Sequence, residues 1–370
     1  MWPLFLVLAV VAAAIGLYYY FFLKRALKAF GVDPNRRWLK WVLTLPAAAL
    51  GFASVNVFSF VAVFLLHLLL ASALMQLIHF LSKKLAKDHT KKAFRIWHRV
   101  CLSGALPLVL VAAFLLYGHW NLHHVVRTDY TVYTEKAIRE EGYRVALVAD
   151  VHFGVSLSEA ELQETCDQIA AAQPDILILC GDIVDDSTSP EGVEQVFRAL
   201  GGIPAPLGVF YTYGNHDRSA PVPNLAHTIR GCGITVLQDD VLPLNDDLWL
   251  VGREDKSRER RGSRASIDAL LTQTDPADFI LTLDHQPNQY AENGAAGTDL
   301  LLSGHTHGGQ LWPLKQVQEL IPFNDAVYGH TKIDADTAAI VTSGLAGWRY
   351  PVKTAAPAEY VMIHILPKTA

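Results

Sequence analysis

Three long runs without a charged side chain limit how the first third of this sequence can fold. They cover residues 1–23, 41–82 and 100–120. A helix needs ~20 residues to cross the hydrocarbon core of a membrane. The first and last runs therefore suffice for one span each, and the 42 residues of the middle run suffice for two. We expect four transmembrane helices in residues 1–120, with a turn in the middle run between Gly51 and Ser59.

The charges of this segment fall into two clusters. Residues 1–120 contain 13 Lys and Arg but only two acidic residues, and the basic ones lie within residues 24–40 and 83–99. Loops rich in Lys and Arg stay on the cytoplasmic side of a membrane. Two loops share a side only when an even number of spans separates them, which agrees with two spans in the middle run. The chain after residue 120 is then expected on the outer face.

Residues 1–23 and two histidines within the apolar runs can each be interpreted in a second way. A cleaved signal peptide is the rival explanation of residues 1–23, but no basic residues precede this run and it is too long. His67 and His79 lie inside the expected spans, where an ionisable side chain is a candidate for function. Because the spans contain no acidic partner for them, neutral histidines packed between helices are the favoured interpretation.

The remaining 250 residues have a different character. They contain 18 basic and 34 acidic residues, so their formal net charge is -16. This balance argues against nucleic acid as a partner, because a phosphate backbone is bound through clustered Lys and Arg. The cysteines form no CxxC pair and no metal-ligand spacing, and we expect no disulfide framework. They are Cys101, Cys166, Cys180 and Cys232.

Apolar runs alternate with amphipathic ones after residue 142. The apolar runs predict strands at 143–149, 175–180, 208–213, 234–237, 248–251, 279–283, 300–303, 338–342 and 360–365. Ser158 and Glu161 form a capping box that opens a helix to about Ala172, and a second helix is expected at 191–200. This alternation is typical of α/β layers.

Five of these strands run directly into side chains that can bind a metal. The side chains are Asp150, His152, Asp182, Asn215, His285, His305 and His307. Ligands of open α/β sheets collect at the carboxyl ends of the strands. Carboxylates, imidazoles and an amide without a thiolate suit Mn, Fe or Zn. Seven ligands are too many for one ion, so we expect two ions roughly 3.5–4 Å apart, an arrangement that clamps a phosphoryl group and activates a water.

The motifs D-x-H, G-D-x-x-D, G-N-H-D, a single His and G-H-x-H, in this order, resemble the calcineurin-like metallophosphoesterase superfamily. The resemblance covers residues 143–365. Within the superfamily, SGHTHGGQ at 303–310 and the ending of the chain look like the bacterial membrane-associated phosphodiesterase branch, which includes hydrolases of lipid-linked phosphates. Lys353 is a departure, because relatives commonly carry an Arg there, and Lys keeps the charge without the bidentate fork.

The resemblance implies an architecture and a location. The fold class is an N-terminal α-helical transmembrane bundle of about four spans, followed by an α/β metallophosphoesterase domain with an α/β/β/α sandwich. The expected domains are the transmembrane region at 1–120, a connector at 121–142 and the metallophosphoesterase domain at 143–370. The protein would lie in a bacterial inner or plasma membrane, with its catalytic domain on the periplasmic or extracellular face.

The resemblance also implies a role for each site residue. Asp150, His152, Asp182 and His307 would hold the first metal, and Asp182, Asn215, His285 and His305 the second, with Asp182 bridging. His216 would stay unligated, face the scissile bond and protonate the leaving oxygen, with Asp185 orienting its ring. The chain would then be a metal-dependent phosphoesterase that uses a metal-activated water.

The substrate stays open at the level of sequence. Protein phosphatases of the superfamily carry arginines where this chain has Asp186 and Tyr213, which argues against a phosphoprotein. The leading hypothesis is a lipid-linked phosphodiester or pyrophosphate at the bilayer. The alternatives are a tethered nucleotide or small-molecule phosphodiesterase, and a phosphate-sensing or transport protein with an inactive phosphoesterase domain.

Two further segments have open interpretations. The basic insertion at 253–264 is either a rim for an anionic head group or a solvated loop. The apolar stretches at 311–314 and 320–323 either face the bilayer or pack inside the domain.

Overall fold

The structure is a computed structural model that describes residues 2–56, 59–86 and 88–368, without the side chains of 2–4, 260 and 261. The chain divides into two compact units, Met1–Tyr117 and Gly118–Ala370. Each unit is described by itself below.

The first unit is helical. Its helices are α1 (Trp2–Ala29), α2 (Arg37–Val55), α3 (Phe60–Leu85), α4 (Lys92–Ser103) and α5 (Ala105–Leu122), whose last turn belongs to the second unit. Among the described residues, α1, α2, α3 and α5 are long and apolar enough to cross a membrane, which confirms the four expected helices. The middle apolar run divides between Val55 and Phe60, inside the predicted turn; residues 57 and 58 lie outside the described residues.

Helix α4 lies where the sequence indicates only a basic loop. Phe94, Trp97 and Cys101 recur at helical spacing, and Cys101 is buried. The helix ends at Gly104, which adopts the left-handed conformation that glycine favours. His98 Nδ1 lies 2.9 Å from His79 Nε2, so one of these nitrogens must be an unprotonated acceptor. This contact fits the interpretation of His79 as a packed, neutral histidine.

The second unit contains two six-stranded sheets. Its strands are β1 (Val125–Thr134), β2 (Tyr143–Val148), β3 (Ile176–Cys180), β4 (Gly208–Thr212), β5 (Thr235–Leu237), β6 (Asp240–Asn245), β7 (Leu248–Gly252), β8 (Phe279–Leu283), β9 (Leu300–Ser303), β10 (Gly329–Lys332), β11 (Ala338–Val341) and β12 (Ala358–Pro367). The strand orders are β1-β12-β2-β3-β4-β5 and β10-β11-β9-β8-β7-β6. The helices are α6 (Glu159–Ala171), α7 (Pro190–Gly201), α8 (Leu225–Gly231), α9 (Ile267–Leu271), α10 (Tyr290–Ala296) and α11 (Leu314–Leu320).

The alternation of side chains along the strands produces four layers. In β2, Val145 and Leu147 point into a core shared with the second sheet, whereas Ala146 and Val148 pack in the core that contains α6 and α7. On the outer side of the second sheet, Val251 and the residues of α9 share a third cluster. Helices therefore cover both outer faces, and the α/β/β/α sandwich is confirmed.

The three strands that the sequence analysis missed are edge strands. β1, β6 and β10 lie at sheet edges, where half of the side chains face solvent. An edge strand needs no continuous apolar run, so its pattern is weak. β1 lies inside the expected connector 121–142, and two residues, His123 and His124, separate it from α5.

Candidate active site

The sequence-predicted site residues meet at one edge of the sandwich. Asp150 and His152 follow β2, Asp182 and Asp185 follow β3, Asn215 and His216 follow β4, His285 follows β8, and His305 and His307 follow β9. β2, β3 and β4 belong to the first sheet and β8 and β9 to the second, so both sheets supply the site with their carboxyl ends.

Six of these residues form two groups whose ligand atoms lie within 4.8 Å of one another: Asp150, His152 and His307 in the first group, and Asp182, His285 and His305 in the second. Asp182 Oδ2 lies 3.2 Å from His285 Nε2 and 3.8 Å from His152 Nε2, so this carboxylate reaches both groups. His307 Nε2 lies 3.6 Å from Asp150 Oδ1.

The ring orientation of three histidines is fixed through Nδ1. His152 Nδ1 pairs with Asp185 Oδ2 at 3.0 Å, and His285 Nδ1 with the carbonyl oxygen of Cys180 at 2.8 Å. His307 Nδ1 lies 3.3 Å from the carbonyl oxygen of Ala346. Such contacts select the tautomer that leaves Nε2 for a metal.

Three buried ligand atoms in the site make no well-formed hydrogen bond: His152 Nε2, Asn215 Oδ1, and His285 Nε2, which contacts Asp182 Oδ2 at 3.2 Å. A buried polar atom without a partner costs about 1–3 kcal/mol, so such atoms call for an explanation. All three are metal-ligand atoms of the residue types that borderline divalent ions prefer. The donor set and its orphaned atoms therefore fit two divalent ions.

The backbone at the site is strained. Asp150, His152, Asp182, His305 and His307 all have positive φ, between 40° and 71°. Such conformations cost of the order of 1–3 kcal/mol each and persist only where the surroundings enforce them. Part of the enforcement is close packing: a Cβ at Gly304 would lie 2.5 Å from Asp150 Oδ2, and one at Gly214 would collide with the Asp182 carboxylate.

Asp217 is a site residue to which the sequence analysis assigned no role. Its buried carboxylate accepts hydrogen bonds from the backbone N–H groups of Asp182 and Gly214, both at 2.7 Å, and of Ile183 and Val184. It thereby ties the loop after β3 to the loop after β4. The motif G-N-H-D already pointed to a structural role for Asp217. This acidic residue ends the motif, and no metal was assigned to it.

Burial sets the protonation of the ligands. It raises the pKa of Asp150 to about 6. Burial acts in the same direction on Asp182, but His285 and the other histidines hold the pKa of Asp182 well below its ordinary value. Burial lowers the pKa of His305 to about 4 and lowers the pKa of His307 as well. These two imidazoles are therefore neutral at pH 7, the form that binds a metal.

His216 lies beside the first group, and its expected partner is elsewhere. Its ring centroid lies 5.5 Å from that of His152 and 5.1 Å from that of Trp348. The resemblance implies that Asp185 orients the ring of His216. In the structure, however, the Asp185 carboxylate is hydrogen-bonded to His152 and not to His216. This corrects the role of Asp185, which positions an expected metal ligand. Trp348 is the neighbour that sequence reasoning missed.

Ser343–Ala356, called here the active-site segment, borders the site. The backbone N–H of Ala346 donates to the carbonyl oxygen of Asp150 at 3.1 Å. Lys353 is buried, and its ammonium donates to the carbonyl oxygens of Ser343 and Gly344, the latter at 2.9 Å. Lys353 therefore links the two ends of the segment.

The last turn of α5 holds the same segment. Asn121 Nδ2 donates to the carbonyl oxygens of Lys353 and Ala356, both at 2.8 Å. His119 Nδ1 lies 3.0 Å from the carbonyl oxygen of Pro351. The active-site segment is thus attached at one end to a candidate membrane helix and at the other to the expected metal ligands.

Two arginines of the basic insertion are buried and do not belong to an exposed rim. The side chains of Arg253 and Arg264 are 2% and 1% exposed, and both pair with the buried carboxylate of Asp284. They form an internal cluster next to His285. The side chains of Arg260 and Arg261 lie outside the described residues.

Comparisons with known proteins agree with this geometry. A profile of the family described as calcineurin-like phosphoesterase matches residues 143–309. An uncharacterized metallophosphoesterase of Helicobacter pylori is 27% identical over 239 residues, covering 64% of this chain and 63% of that protein. A transmembrane protein with metallophosphoesterase domain of Danio rerio is 28% identical, covering 70% of this chain and 61% of that protein. This chain thus spans less than two thirds of either relative's length.

Among solved structures, a dimetal phosphatase from Danio rerio aligns with a TM-score of 0.37 and 13% identity, over 55% of this chain and 87% of that chain.

The four-layered sandwich with its paired Asp and His groups agrees with the class expected from the sequence, a metal-dependent phosphoesterase. More particularly, residues 143–309 match the model of the calcineurin-like phosphoesterase family, which agrees with the superfamily inferred from the five motifs. Members of this family use a dinuclear site of divalent metals.

Proposed function

We propose that this protein is an integral membrane phosphoesterase that hydrolyses a phosphodiester or pyrophosphate bond in a lipid-linked substrate. One observation carries the lipid-linked part of the proposal: the last turn of α5 and the expected metal ligands are hydrogen-bonded to one segment, Ser343–Ala356.

The proposed enzyme uses two divalent metal ions, which would be Mn, Fe or Zn. Asp150, His152 and His307 would hold the first ion, His285, His305 and Asn215 the second, and Asp182 both. When bound, the ions would supply charge stabilisation for the phosphoryl group and a nucleophile at neutral pH. Asp185 and Asp217 position this set, through His152 and through the backbone of the loops after β3 and β4.

His216 is the proposed proton donor. It is close to the first group, and none of the metal assignments needs its ring. Burial lowers the pKa of His216, but a phosphate anion placed against the ring raises it again. The ring can then donate a proton to the leaving oxygen, while Trp348 packs beside it and limits its orientations.

The attachment to α5 favours a substrate in the membrane. The 18 residues of α5 extend about 27 Å, slightly less than the ~30 Å hydrocarbon core, so both helix ends of a spanning α5 would lie at a membrane boundary. Asn121 and His119, in the last turn, bind the active-site segment directly. A flexible tether for a soluble substrate needs no such attachment. The distribution of Lys and Arg favours the outer side for this boundary.

The test is hydrolysis by the full chain reconstituted in vesicles and loaded with Mn. The panel comprises a lipid-linked pyrophosphate, a lipid phosphodiester, nucleoside diphosphates and bis(4-nitrophenyl) phosphate. We expect kcat/KM for one lipid class to exceed that for the soluble compounds by about tenfold or more, or ~1.4 kcal/mol of extra transition-state stabilisation. Asp182→Asn, prepared in parallel, measures contaminating phosphatase.

Other outcomes would contradict the proposal. Equal or higher kcat/KM on nucleotides would identify a tethered nucleotide or small-molecule phosphodiesterase. No hydrolysis of any compound by protein that holds two metals per chain would identify a sensor or transporter with an inactive domain.

A further inference from the structure

The segment Trp312–Phe323, called here the apolar arm, exposes large apolar side chains. They belong to Trp312, Leu314, Val317, Leu320, Ile321 and Phe323, and Leu320 and Phe323 are 81% and 77% exposed. Helix α11 lies within the arm and has no buried residue. Among the described residues after α5, only Tyr133 is another large apolar side chain with comparable exposure. The arm therefore concentrates the exposed apolar surface of the phosphoesterase unit, and such a patch marks an interaction site.

Hydrogen bonds connect the arm to the end of α5. The backbone N–H of Trp312 donates to Thr354 Oγ1 at 2.9 Å. Thr354 packs on α5 so closely that a Cβ at Gly118 would collide with its methyl group. The backbone N–H of Lys353 donates to the carbonyl oxygen of Gly118 at 2.9 Å. One residue, Thr354, thus separates the start of the arm from the last turn of α5.

The length of α5 sets the depth in the membrane at which the apolar arm meets the last turn of this helix. A spanning helix of about 27 Å has its last turn at the boundary of a ~30 Å hydrocarbon core. Trp312 is held beside that turn, and tryptophan is enriched at this depth of a membrane. The arm also has no net charge, because Lys315 and Glu319 are its only charged residues and lie 3.9 Å apart. Its surface suits the boundary of head groups and acyl chains better than a charged partner.

We propose that the apolar arm inserts into the outer leaflet of the membrane beside α5. Leu320, Ile321 and Phe323 would enter the acyl boundary, and the short helix α11 would lie along the surface. The arm begins five residues after His307, so its insertion would hold the G-H-x-H ligands at the head-group plane. The inference rests on the proposed membrane anchoring and adds a second membrane contact to it.

The direct test measures the depth of three positions with an environment-sensitive fluorophore. Leu320→Cys, Phe323→Cys and Ala137→Cys are made in full-length Cys232→Ser protein, labelled and reconstituted in phosphatidylethanolamine and phosphatidylglycerol vesicles that contain brominated lipid. Ala137 is the matched control, because it is exposed and follows the far end of β1, roughly 33 Å along the strand from α5. Leu116→Cys in α5, at a side chain 70% exposed, reports whether the helix itself is inserted.

We expect bromine quenching at positions 320, 323 and 116 and none above the solvent level at 137. Quenching at 116 without quenching at 320 and 323 overturns the arm while leaving the membrane anchor intact. No quenching at 116 overturns the anchor and the arm together. Protection of 320 and 323 that depends on protein concentration and not on brominated lipid assigns the surface to a second copy of the chain, which also overturns the proposal.

A second measurement uses activity. Phe323→Asp should lower turnover of the vesicle-borne lipid several-fold and leave hydrolysis of bis(4-nitrophenyl) phosphate unchanged. Tyr133→Asp is the matched control, because it places the same charge on an apolar side chain that is 64% exposed outside the arm. Equal losses in both proteins, or none in either, would contradict the role of the arm in presenting lipid.

Discussion

At the scale of single residues, His216 and Asp182 make different contacts in one site. Asp182 Oδ2 lies within 3.8 Å of histidines from both groups, whereas Asp182 Oδ1 accepts the backbone N–H of His216 at 2.8 Å. The His216 ring itself lies beside Trp348. The two side chains therefore predict separable losses when each is replaced.

His216→Ala should keep both metals and lose roughly 10²–10⁴-fold in turnover, the usual contribution of a positioned proton donor. Asp182→Asn should lose metal and turnover together, because one oxygen of the carboxylate serves both groups. Metal content by elemental analysis and kcat on the same preparations measure the two effects. If His216→Ala loses metal, or Asp182→Asn keeps two ions with near-normal turnover, the division of roles is wrong.

The residue types at the strand ends were predictable, but several of their relations were not. D-x-H and G-H-x-H indicate which side chains lie at the edge of the sheet. The pairing of Asp185 with His152 depends on the distance between the loop after β2 and the loop after β3. That distance cannot be derived from the sequence motifs. The positive φ of Asp150 and Asp182 likewise depends on the close packing around them, which the local sequence does not show.

At the scale of elements, the segment between β11 and β12 contains one buried lysine, Lys353, whose ammonium group bonds to its backbone. Burial lowers the pKa of Lys353 from 10.5 to about 7, although Glu359 acts in the opposite direction. Between these two values the unfolded chain binds a proton that the folded chain does not bind. The free energy of unfolding should therefore rise with pH from about 7 to 10.5, with a slope of at most about 1.4 kcal/mol per pH unit.

Lys353→Arg is the variant that isolates this effect. Arg keeps donors for the carbonyl oxygens of Ser343 and Gly344 but stays protonated over the whole range. The midpoint of thermal unfolding of the detergent-solubilised, metal-loaded chain should rise between pH 7 and 9 by more in the wild type than in Lys353→Arg. Parallel pH profiles for the two proteins would show that Lys353 remains charged in the folded state.

The elements found from the sequence are those with a strong hydrophobic pattern. β2, β3, β8 and β9 are buried on both faces, and their apolar runs gave bounds within about one residue of the structure. The edge strands and α4 have weaker patterns. In α4 the period of Phe94, Trp97 and Cys101 was present, but the many basic residues around it favoured a loop.

At the scale of the whole molecule, the chain joins a positively charged helical segment to an acidic enzyme unit. The helices leave the phosphoesterase unit no long linker, because β1 begins three residues after α5 ends. In the proposed anchoring, the phosphoesterase unit therefore lies on the side of the membrane where α5 ends. The distribution of Lys and Arg predicts that this is the outer side.

The sidedness prediction compares two exposed positions. Lys91, in the second basic cluster, should face the cytoplasm, and Ala137, after β1, should face outward, because Lys- and Arg-rich loops are retained inside. In a Cys232→Ser background, a membrane-impermeant maleimide should label Ala137→Cys in intact cells. It should label Lys91→Cys only after permeabilisation. The reverse pattern would place the active site in the cytoplasm and the apolar arm on the inner leaflet, and labelling of both positions in intact cells would contradict the arrangement of four spans.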